Sequence, residues 1–208
     1  MKFMKNIVIF GDSYSTFEGQ MPEGHTTYYP RLDVVEKTQT WWSLFLKKTG
    51  YKLLYNDSWS GSTIGYTGYN NYDCSKTSSF ICRYKKLKEN GFFNGKRVDA
   101  IIVFGGTNDS WADAPLGQMK FDGWQEKDLF NVLPAICYFL YSIKADFPCA
   151  EILCVINTDI KAEIMDCMEK NAMLYGLKVA KLHDVEKENG HPTAKGMTEI
   201  CEQIISVL

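Results

Sequence analysis

The sequence lacks an excess of basic residues and lacks any long apolar run. Its 208 residues carry a formal net charge of −2 at pH 7, so the composition does not favour a nucleic-acid partner. The apolar runs are far too short to cross a bilayer. A charged start, Met1 to Lys5, precedes only four apolar residues and no cleavage site. We therefore expect a cytoplasmic protein that does not bind membranes, unless an export signal was trimmed.

Several motifs are also missing. The seven cysteines are odd in number and irregular in spacing, and no Cys-x-x-Cys occurs, which predicts a reducing compartment and no structural zinc. There is no Gly-x-Ser-x-Gly, Gly-x-Gly-x-x-Gly, Walker loop or His-Glu-x-x-His. These absences disfavour nucleophile-elbow hydrolases, dinucleotide-binding enzymes, P-loop proteins and zinc peptidases. We expect no cofactor and no metal site.

Strand and helix patterns alternate along the whole chain. Apolar, β-rich runs predict strands over 7–10, 51–55, 98–104, 151–156 and 177–182. Helical spacing of apolar residues predicts helices over 40–48, 75–89, 125–146, 160–175 and 193–207, with Pro134 expected to kink the third or move its start. Such alternation is typical of a parallel sheet covered on both faces. The sequence contains no repeat or linker, so we predict one α/β domain over residues 1–208.

The first strand leads into a candidate nucleophile. Ile7 to Phe10 reads as a strand that is buried on both faces, and Gly11, Asp12 and Ser13 follow where it should emerge. In open parallel sheets, ligands bind beyond the carboxyl ends of the strands. Ser13 is therefore well placed to meet a ligand. The alternative is that Asp12 and Ser13 only cap the next helix.

Three other segments should reach the same edge of the sheet. Gly61 follows the second strand, Asn108 follows the third, and His191 follows the last. Serine chemistry needs a hydroxyl nucleophile, an imidazole base and donors for the developing oxyanion. Since His191 precedes a patterned helix, the positive end of the helix dipole would keep its imidazole neutral. A His-Pro turn without a catalytic role is the alternative.

The acid that would orient His191 is left open by the sequence. Glu188 lies three residues before His191 and could reach its far ring nitrogen. Asp184, at the end of the last predicted strand, is the rival acid. His25 and His183 are weaker candidates for the base.

These residues give the chain its resemblance to a known family. Gly11-Asp12-Ser13, Gly61 in Ser-Gly-Ser, Gly106-Thr107-Asn108-Asp109 and His191-Pro192 resemble, in order, the four blocks of the GDSL/SGNH hydrolases. The resemblance spans nearly the whole chain. It implies an α/β/α sandwich with a parallel sheet of about five strands, the flavodoxin-like fold of this family. It also implies ester hydrolysis through an acyl-enzyme on the serine.

The resemblance also assigns roles to individual residues. It implies that the Ser13 N–H, the Gly61 N–H and the Asn108 side chain form an oxyanion hole. The family usually has Asp three residues before the His, whereas this chain has Glu188. This departure leaves a Ser-His dyad open.

The substrate is only faintly indicated by the sequence. Aromatic residues in predicted loops could stack on sugar rings or could simply pack the loops: Tyr28, Tyr29, Tyr66, Tyr69, Tyr72, Trp111 and Trp124. We take Asp12, Trp111 and Tyr66 as candidate substrate-binding residues. Asp12 and Asp109 are an alternative Mg²⁺ pair, although Asp after a strand usually caps backbone N–H groups.

Two functions are consistent with these patterns. The first is a serine esterase acting on small acyl esters, including O-acetyl groups of a carbohydrate. The second is a glycan- or metabolite-binding module on the same fold without catalysis. The combination of a nucleophile, a base and oxyanion donors favours the esterase. The sequence does not determine the oligomeric state.

Overall fold

The computed structural model describes residues 4–208, so part of the start Met1 to Lys5 lies outside the described residues. Its centre is a parallel sheet of five strands, taken in the order β2-β1-β3-β4-β5. The strands are β1 Asn6–Gly11, β2 Lys52–Ser58, β3 Ala100–Phe104, β4 Glu151–Ile156 and β5 Lys178–Lys181. The predicted parallel sheet of about five strands is confirmed.

Helices cover both faces of this sheet. They are α1 Trp41–Thr49, α2 Phe80–Glu89, α3 Thr107–Trp111, α4 Val132–Asp146, α5 Ala162–Tyr175 and α6 Ala194–Ser206. Ile7 and Ile9 of β1 pack in one apolar layer with α1 and α6, whereas Val8 and Phe10 pack in the other with α2, α4 and α5. Successive strand residues point to opposite faces, so β1 is apolar throughout. The result is the expected α/β/α sandwich.

Several elements differ in extent from the sequence prediction; the helix predicted over 75–89, for example, begins only at Phe80. β2 continues through the polar residues Asn56, Asp57 and Ser58, all of which are buried. Their burial is tolerated because each side chain forms a hydrogen bond inside the protein. The predicted helix over 125–146 divides into a short 3₁₀ turn, Glu126–Phe130, and α4. Pro134 lies in the first turn of α4, where its missing N–H leaves no hydrogen bond unmade.

A small hairpin precedes the last helix. β6 Lys187–Glu188 pairs antiparallel with β7 His191–Pro192 through a two-residue turn. The turn residues are Asn189, with φ 49°, and Gly190, with φ 78°. An Asn-Gly pair with both φ values positive is favoured in two-residue hairpins. This hairpin, rather than the first turn of α6, carries His191.

Two further observations concern the sequence predictions on cysteine and membranes. All seven cysteines lie within the described part of the chain, and none of them forms a disulfide. Between residues 4 and 208, no helix combines the length and apolar character needed to span a bilayer.

Candidate active site

Ser13 lies on a tight turn directly after β1. The residues Ser13–Ser15 form a 3₁₀ turn, and the Asp12 carboxylate accepts a hydrogen bond from the Tyr14 N–H at 3.1 Å. Gly11 has no room for a side chain, because a Cβ there would lie 2.5 Å from Ser58 Oγ and 2.6 Å from Ser15 Cβ. The close packing of β1 against β2 therefore fixes where the Ser13 hydroxyl emerges.

The structure brings Ser13 and His191 together from opposite ends of the chain. His191 Nε2 lies 3.0 Å from Ser13 Oγ, which is hydrogen-bonding distance. Its other ring nitrogen, Nδ1, faces the backbone carbonyl of Asn189 at 3.3 Å. A carbonyl can only accept, so Nδ1 carries the proton and Nε2 is left free to accept from the serine. This is the tautomer that a general base requires.

Neither predicted acid is bonded to His191. Glu188 stands opposite His191 in the hairpin register, yet its carboxylate makes no hydrogen bond to the ring. Asp184 bonds instead to His183 Nδ1 at 3.2 Å, and both side chains are largely exposed. The expected carboxylate partner is thus replaced by the Asn189 carbonyl. The Asn-Gly turn causes this, because it folds the chain back and points that carbonyl at the ring.

Two buried tyrosines hold the hairpin that carries His191. The hydroxyl of Tyr14, the residue after Ser13, donates to the Gly190 carbonyl. The hydroxyl of Tyr29 donates to the Pro192 carbonyl at 2.6 Å. The residues on either side of His191 are therefore anchored to buried side chains. Such anchoring fixes the backbone from which the imidazole projects.

Aromatic rings surround the imidazole. The Tyr28 ring stacks on it with centroids 3.6 Å apart and planes at 5°, and the Trp111 ring meets it edge-on at 6.0 Å. A Cβ on Gly190 would approach Trp111 to 3.1 Å. Burial among these rings lowers the pKa of His191, opposed by the Asn189 carbonyl, while Arg31 and Lys187 lower it further. This shift favours the neutral form of the imidazole.

The predicted oxyanion donors lie at the start of α3 and on the loop after β2. Asn108, near the start of α3, is buried, and its Nδ2 donates to the Ser62 carbonyl at 3.0 Å. Its Oδ1 accepts from the Tyr69 hydroxyl at 2.9 Å, so the amide orientation is fixed from both ends. Gly61 is exposed, and among residues 4–208 its N–H has no hydrogen-bond acceptor. The second Nδ2 hydrogen and the Gly61 N–H are thus free to bind a ligand oxygen.

Asp109 supports the loop that follows Gly61. Its fully buried carboxylate accepts from the Ile64 N–H at 2.9 Å and from the Gly65 N–H at 3.2 Å. Burial raises the pKa of Asp109 to about 6, and these backbone hydrogen bonds oppose the rise. The carboxylate therefore holds the loop that follows Gly61.

Asp12 is a capping residue, which corrects its assignment to substrate binding. Its side chain is fully buried and accepts from the backbone of its own turn. Burial raises the pKa of Asp12 to about 7. Neither Asp12 nor Asp109 faces solvent, and within the described chain no three His, Cys, Asp or Glu side chains form a metal-binding group. Both carboxylates accept hydrogen bonds from backbone N–H groups.

Some of the aromatic residues predicted to contact substrate are buried, and others are exposed at the site. Tyr66 is 2% exposed, packs against Phe130 and accepts a hydrogen bond from Lys85, so the prediction that it binds substrate is wrong. Trp111 is 40% exposed beside His191, and Tyr69 is 41% exposed beside Asn108. Trp111 therefore flanks the site beside His191, and Tyr69 flanks it beside the Asn108 amide.

The other two histidines lie outside this cluster. His25 Nδ1 bonds to the Ser58 carbonyl at 3.0 Å, and its ring packs on Trp59. His183 is exposed beside Asp184. The preference for His191 over both therefore agrees with the geometry.

Arg83 is a buried residue that connects β1, β2 and the loop after β2. It is buried on α2 and pairs with Asp57 of β2 at 2.7 Å. Its second terminal nitrogen lies 3.3 Å from both the Gly11 carbonyl and Ser62 Oγ. One guanidinium therefore ties the end of β1 to the loop after β2. The sequence analysis missed Arg83, because one basic residue inside a helical pattern gives no local signal of burial.

The fold and the site define a class before any comparison is made. A parallel sheet in this order, with a hydroxyl–imidazole pair and amide donors at its carboxyl edge, is typical of hydrolases built on a flavodoxin-like α/β/α sandwich. A family model for GDSL-like lipase/acylhydrolase matches residues 5–208. The chain belongs to this GDSL-like lipase/acylhydrolase family. The family is one of ester hydrolases.

Solved structures agree with this assignment. A protein from Bacteroides ovatus assigned to the GDSL-like lipases is 41% identical, with a TM-score of 0.90 over 99% of this chain and 98% of its own. A second, from Bacteroides uniformis, is 39% identical, with a TM-score of 0.89 over 99% and 95% of the two chains. A family two carbohydrate esterase from Clostridium thermocellum shares the fold at 13% identity, with a TM-score of 0.64 over 97% and 62%. No curated protein matches the chain.

Proposed function

We propose that this protein hydrolyses carboxylic esters of small acyl groups through an acyl-enzyme on Ser13. The observation that carries the proposal is the 3.0 Å contact between Ser13 Oγ and His191 Nε2, with Nδ1 protonated toward a carbonyl. A hydroxyl in this setting can lose its proton as it attacks. A pure binding site has no need of that pairing.

The reaction follows from the geometry in two halves. Ser13 Oγ attacks the ester carbonyl carbon while its proton moves to His191 Nε2. The tetrahedral intermediate collapses, the carbon–oxygen bond to the alcohol breaks, and His191 returns the proton to the departing alkoxide. Water then gives a proton to Nε2 and attacks the acyl carbon. The carboxylic acid leaves as Ser13 regains its proton.

The negative charge that develops on the carbonyl oxygen needs donors that are already in place. The proposal assigns this role to the N–H groups of Ser13 and Gly61 and to Asn108 Nδ2. The Asn108 side chain forms hydrogen bonds with the Tyr69 hydroxyl and the Ser62 carbonyl. These two bonds keep Nδ2 from rotating away. Fixed donors of this kind stabilise the transition state without reorganisation.

The alcohol part of the substrate is proposed to be a carbohydrate. Trp111 and Tyr69 are 40% and 41% exposed, and they lie beside His191 and Asn108 respectively. Aromatic faces stack on the apolar faces of sugar rings, and a relative that shares the fold is a carbohydrate esterase. Asp12 and Tyr66, now placed in the interior, take no part in this contact. The proposed substrates are thus O-acetylated sugars.

A binding module without catalysis is the second candidate. It is favoured by one observation, the absence of a hydrogen-bonded carboxylate on His191 in the described residues. Such a module would hold an acylated sugar without releasing acid.

Hydrolysis of p-nitrophenyl acetate and of an acetylated oligosaccharide tests both candidates. We expect turnover by the wild type and its loss in Ser13→Ala. Ser206→Ala, which removes a hydroxyl at the end of α6, serves as the matched control and should retain full activity. Equal rates for the wild type and Ser13→Ala would reject the esterase. Saturable binding of the acetylated sugar without acid release would then support the module.

A further inference from the structure

Tyr28 occupies a position that the proposed chemistry does not explain. Its ring stacks on the His191 imidazole with the two planes nearly parallel and the centroids 3.6 Å apart. The stack covers one face of the base. The hydroxyl of Tyr28 has no hydrogen-bond partner among residues 4–208. The ring itself, and not its polar end, is therefore what contacts the base.

The Tyr28 ring is held by the same groups that hold the reacting pair. The Tyr28 N–H donates to Thr16 Oγ1 at 2.9 Å, and that hydroxyl donates to the Ser13 carbonyl at 3.0 Å. Its ring packs edge-on against Tyr29 at 4.9 Å, and Tyr29 is bonded to the Pro192 carbonyl. Tyr28 is thus connected to the turn of the nucleophile and to the hairpin of the base.

The orienting groups on the imidazole edge are weak in this protein. The contact from Nδ1 to the Asn189 carbonyl is 3.3 Å long and its acceptor is neutral. A long, uncharged hydrogen bond leaves the ring freer to rotate than a short bond to a carboxylate would. The stack supplies what is missing, because rotating the imidazole out of its plane would drive it into the Tyr28 ring.

Two cations, Arg31 and Lys187, lie close enough to the stack to act on His191. Arg31 lies over the Tyr28 ring, with its Cζ 5.1 Å from the ring centroid. Lys187 lies over the Tyr14 ring, which itself approaches His191 to 5.4 Å. Arg31 and Lys187 disfavour an imidazolium, whereas the π electrons of the stacked ring attract it. The ring of Tyr28 therefore stabilises the base at the moment when it holds the serine proton.

We propose that Tyr28 is a positioning residue that takes over, by stacking on His191, the work of the missing carboxylate. The effect on hydrolysis rests on the proposed function. The effect on the imidazole itself does not. Both come from the aromatic face, so Phe should replace Tyr28 and an aliphatic residue should not.

Kinetics with p-nitrophenyl acetate give the first test. Tyr28→Leu should lower kcat roughly 10- to 100-fold with KM little changed, the loss expected when a reacting group is slightly misplaced. Tyr28→Phe should stay within about twofold of the wild type because the ring is kept. Tyr141→Leu, on α4 away from His191, is the matched control. A folded Tyr28→Leu with unchanged kcat, or a Phe variant as slow as Leu, would overturn the proposal.

Long-range ¹H–¹⁵N spectra give a second test that needs no substrate. The protein has three histidines, and His191→Ala identifies the relevant signals. The wild type and Tyr28→Phe should show one tautomer with the proton on Nδ1, and Tyr28→Leu should show exchange between both. One fixed tautomer in Tyr28→Leu would reject the proposal even if the esterase assay had failed. Should Leu unfold the protein, Tyr28→Met is measured in the same way.

Discussion

His191 illustrates how a single residue depends on neutral neighbours. Its Nδ1 faces a carbonyl and its ring is buried among aromatic side chains, and this burial lowers its pKa. A neutral imidazole is the form that can accept the Ser13 proton. The absence of a bonded carboxylate therefore weakens the stabilisation of the imidazolium but does not remove the base.

The pH dependence of kcat/KM should report this lowered pKa. Activity should hold at neutral pH and fall as the pH drops, because a protonated His191 cannot accept a proton. Since burial lowers the pKa of His191, the midpoint should lie below the ordinary histidine value of about 6.5. NMR titration of His191 should give the same midpoint. A kinetic midpoint above the ordinary value, or one that differs from the NMR midpoint, would contradict this account.

Asn108 gives a second prediction at this scale. Asn108→Ala should lower kcat by about 100- to 1,000-fold, the usual loss for one oxyanion donor. KM should change far less, because the donor acts mainly in the transition state. Asn90→Ala, at the exposed end of α2, is the control and should leave both constants unchanged. A loss confined to KM would remove Asn108 from the oxyanion hole.

At the scale of elements, the buried Arg83 fixes α2 against two strands. Its guanidinium pairs with Asp57 and also reaches the Gly11 carbonyl and Ser62 Oγ. Gly11 precedes the nucleophile turn and Ser62 follows Gly61. The relative position of the nucleophile and one oxyanion donor is therefore set by a single side chain.

Removal of Arg83 should be strongly destabilising. Arg83→Met leaves Asp57 buried without its cation, and breaking a buried pair in this way costs about 3–5 kcal/mol. The double variant with Asp57→Leu should recover part of the loss, because no uncompensated charge remains. Urea unfolding of the wild type and of both variants measures the difference. A loss below about 1 kcal/mol in Arg83→Met would show that the pair contributes little.

The elements also show which local signals were sufficient. The run Ile7 to Phe10 and the glycine after it predicted where Ser13 emerges, because a strand buried on both faces must be apolar throughout. The Asn189-Gly190 pair is an equally strong hairpin signal, although the prediction of a helix end at His191 does not use it. Recognising it would have placed His191 on a hairpin instead of at a helix end. It would also have questioned Glu188 as the orienting acid.

Other features depended on contacts between distant parts of the chain. The polar end of β2 is a strand because Arg83 and Ser15 satisfy Asn56 and Asp57. Neither partner is visible in the local pattern. Tyr28 and Tyr66 are both tyrosines of apparent loops, yet one stacks on the base and the other is in the core. Composition and spacing could not separate them.

At the scale of the whole molecule, the fold gathers its site from segments that are far apart in the chain. Ser13 follows β1, and Asn108 follows β3, which is the neighbour of β1 in the sheet. His191 lies on the hairpin before the last helix. The point where the strand order reverses, between β1 and β3, is where ligands bind in such sheets. The order of the four motifs predicted these residues, and the packing of the sheet explains why they meet.

Labelling with a fluorophosphonate tests the central claim, the activation of Ser13 by His191, most directly. Intact mass spectrometry should show a single adduct on the wild type, and peptide mapping should place it on Ser13. His191→Ala should react far more slowly, since the hydroxyl then has no base. An unlabelled wild type, or an adduct on another residue, would contradict the account.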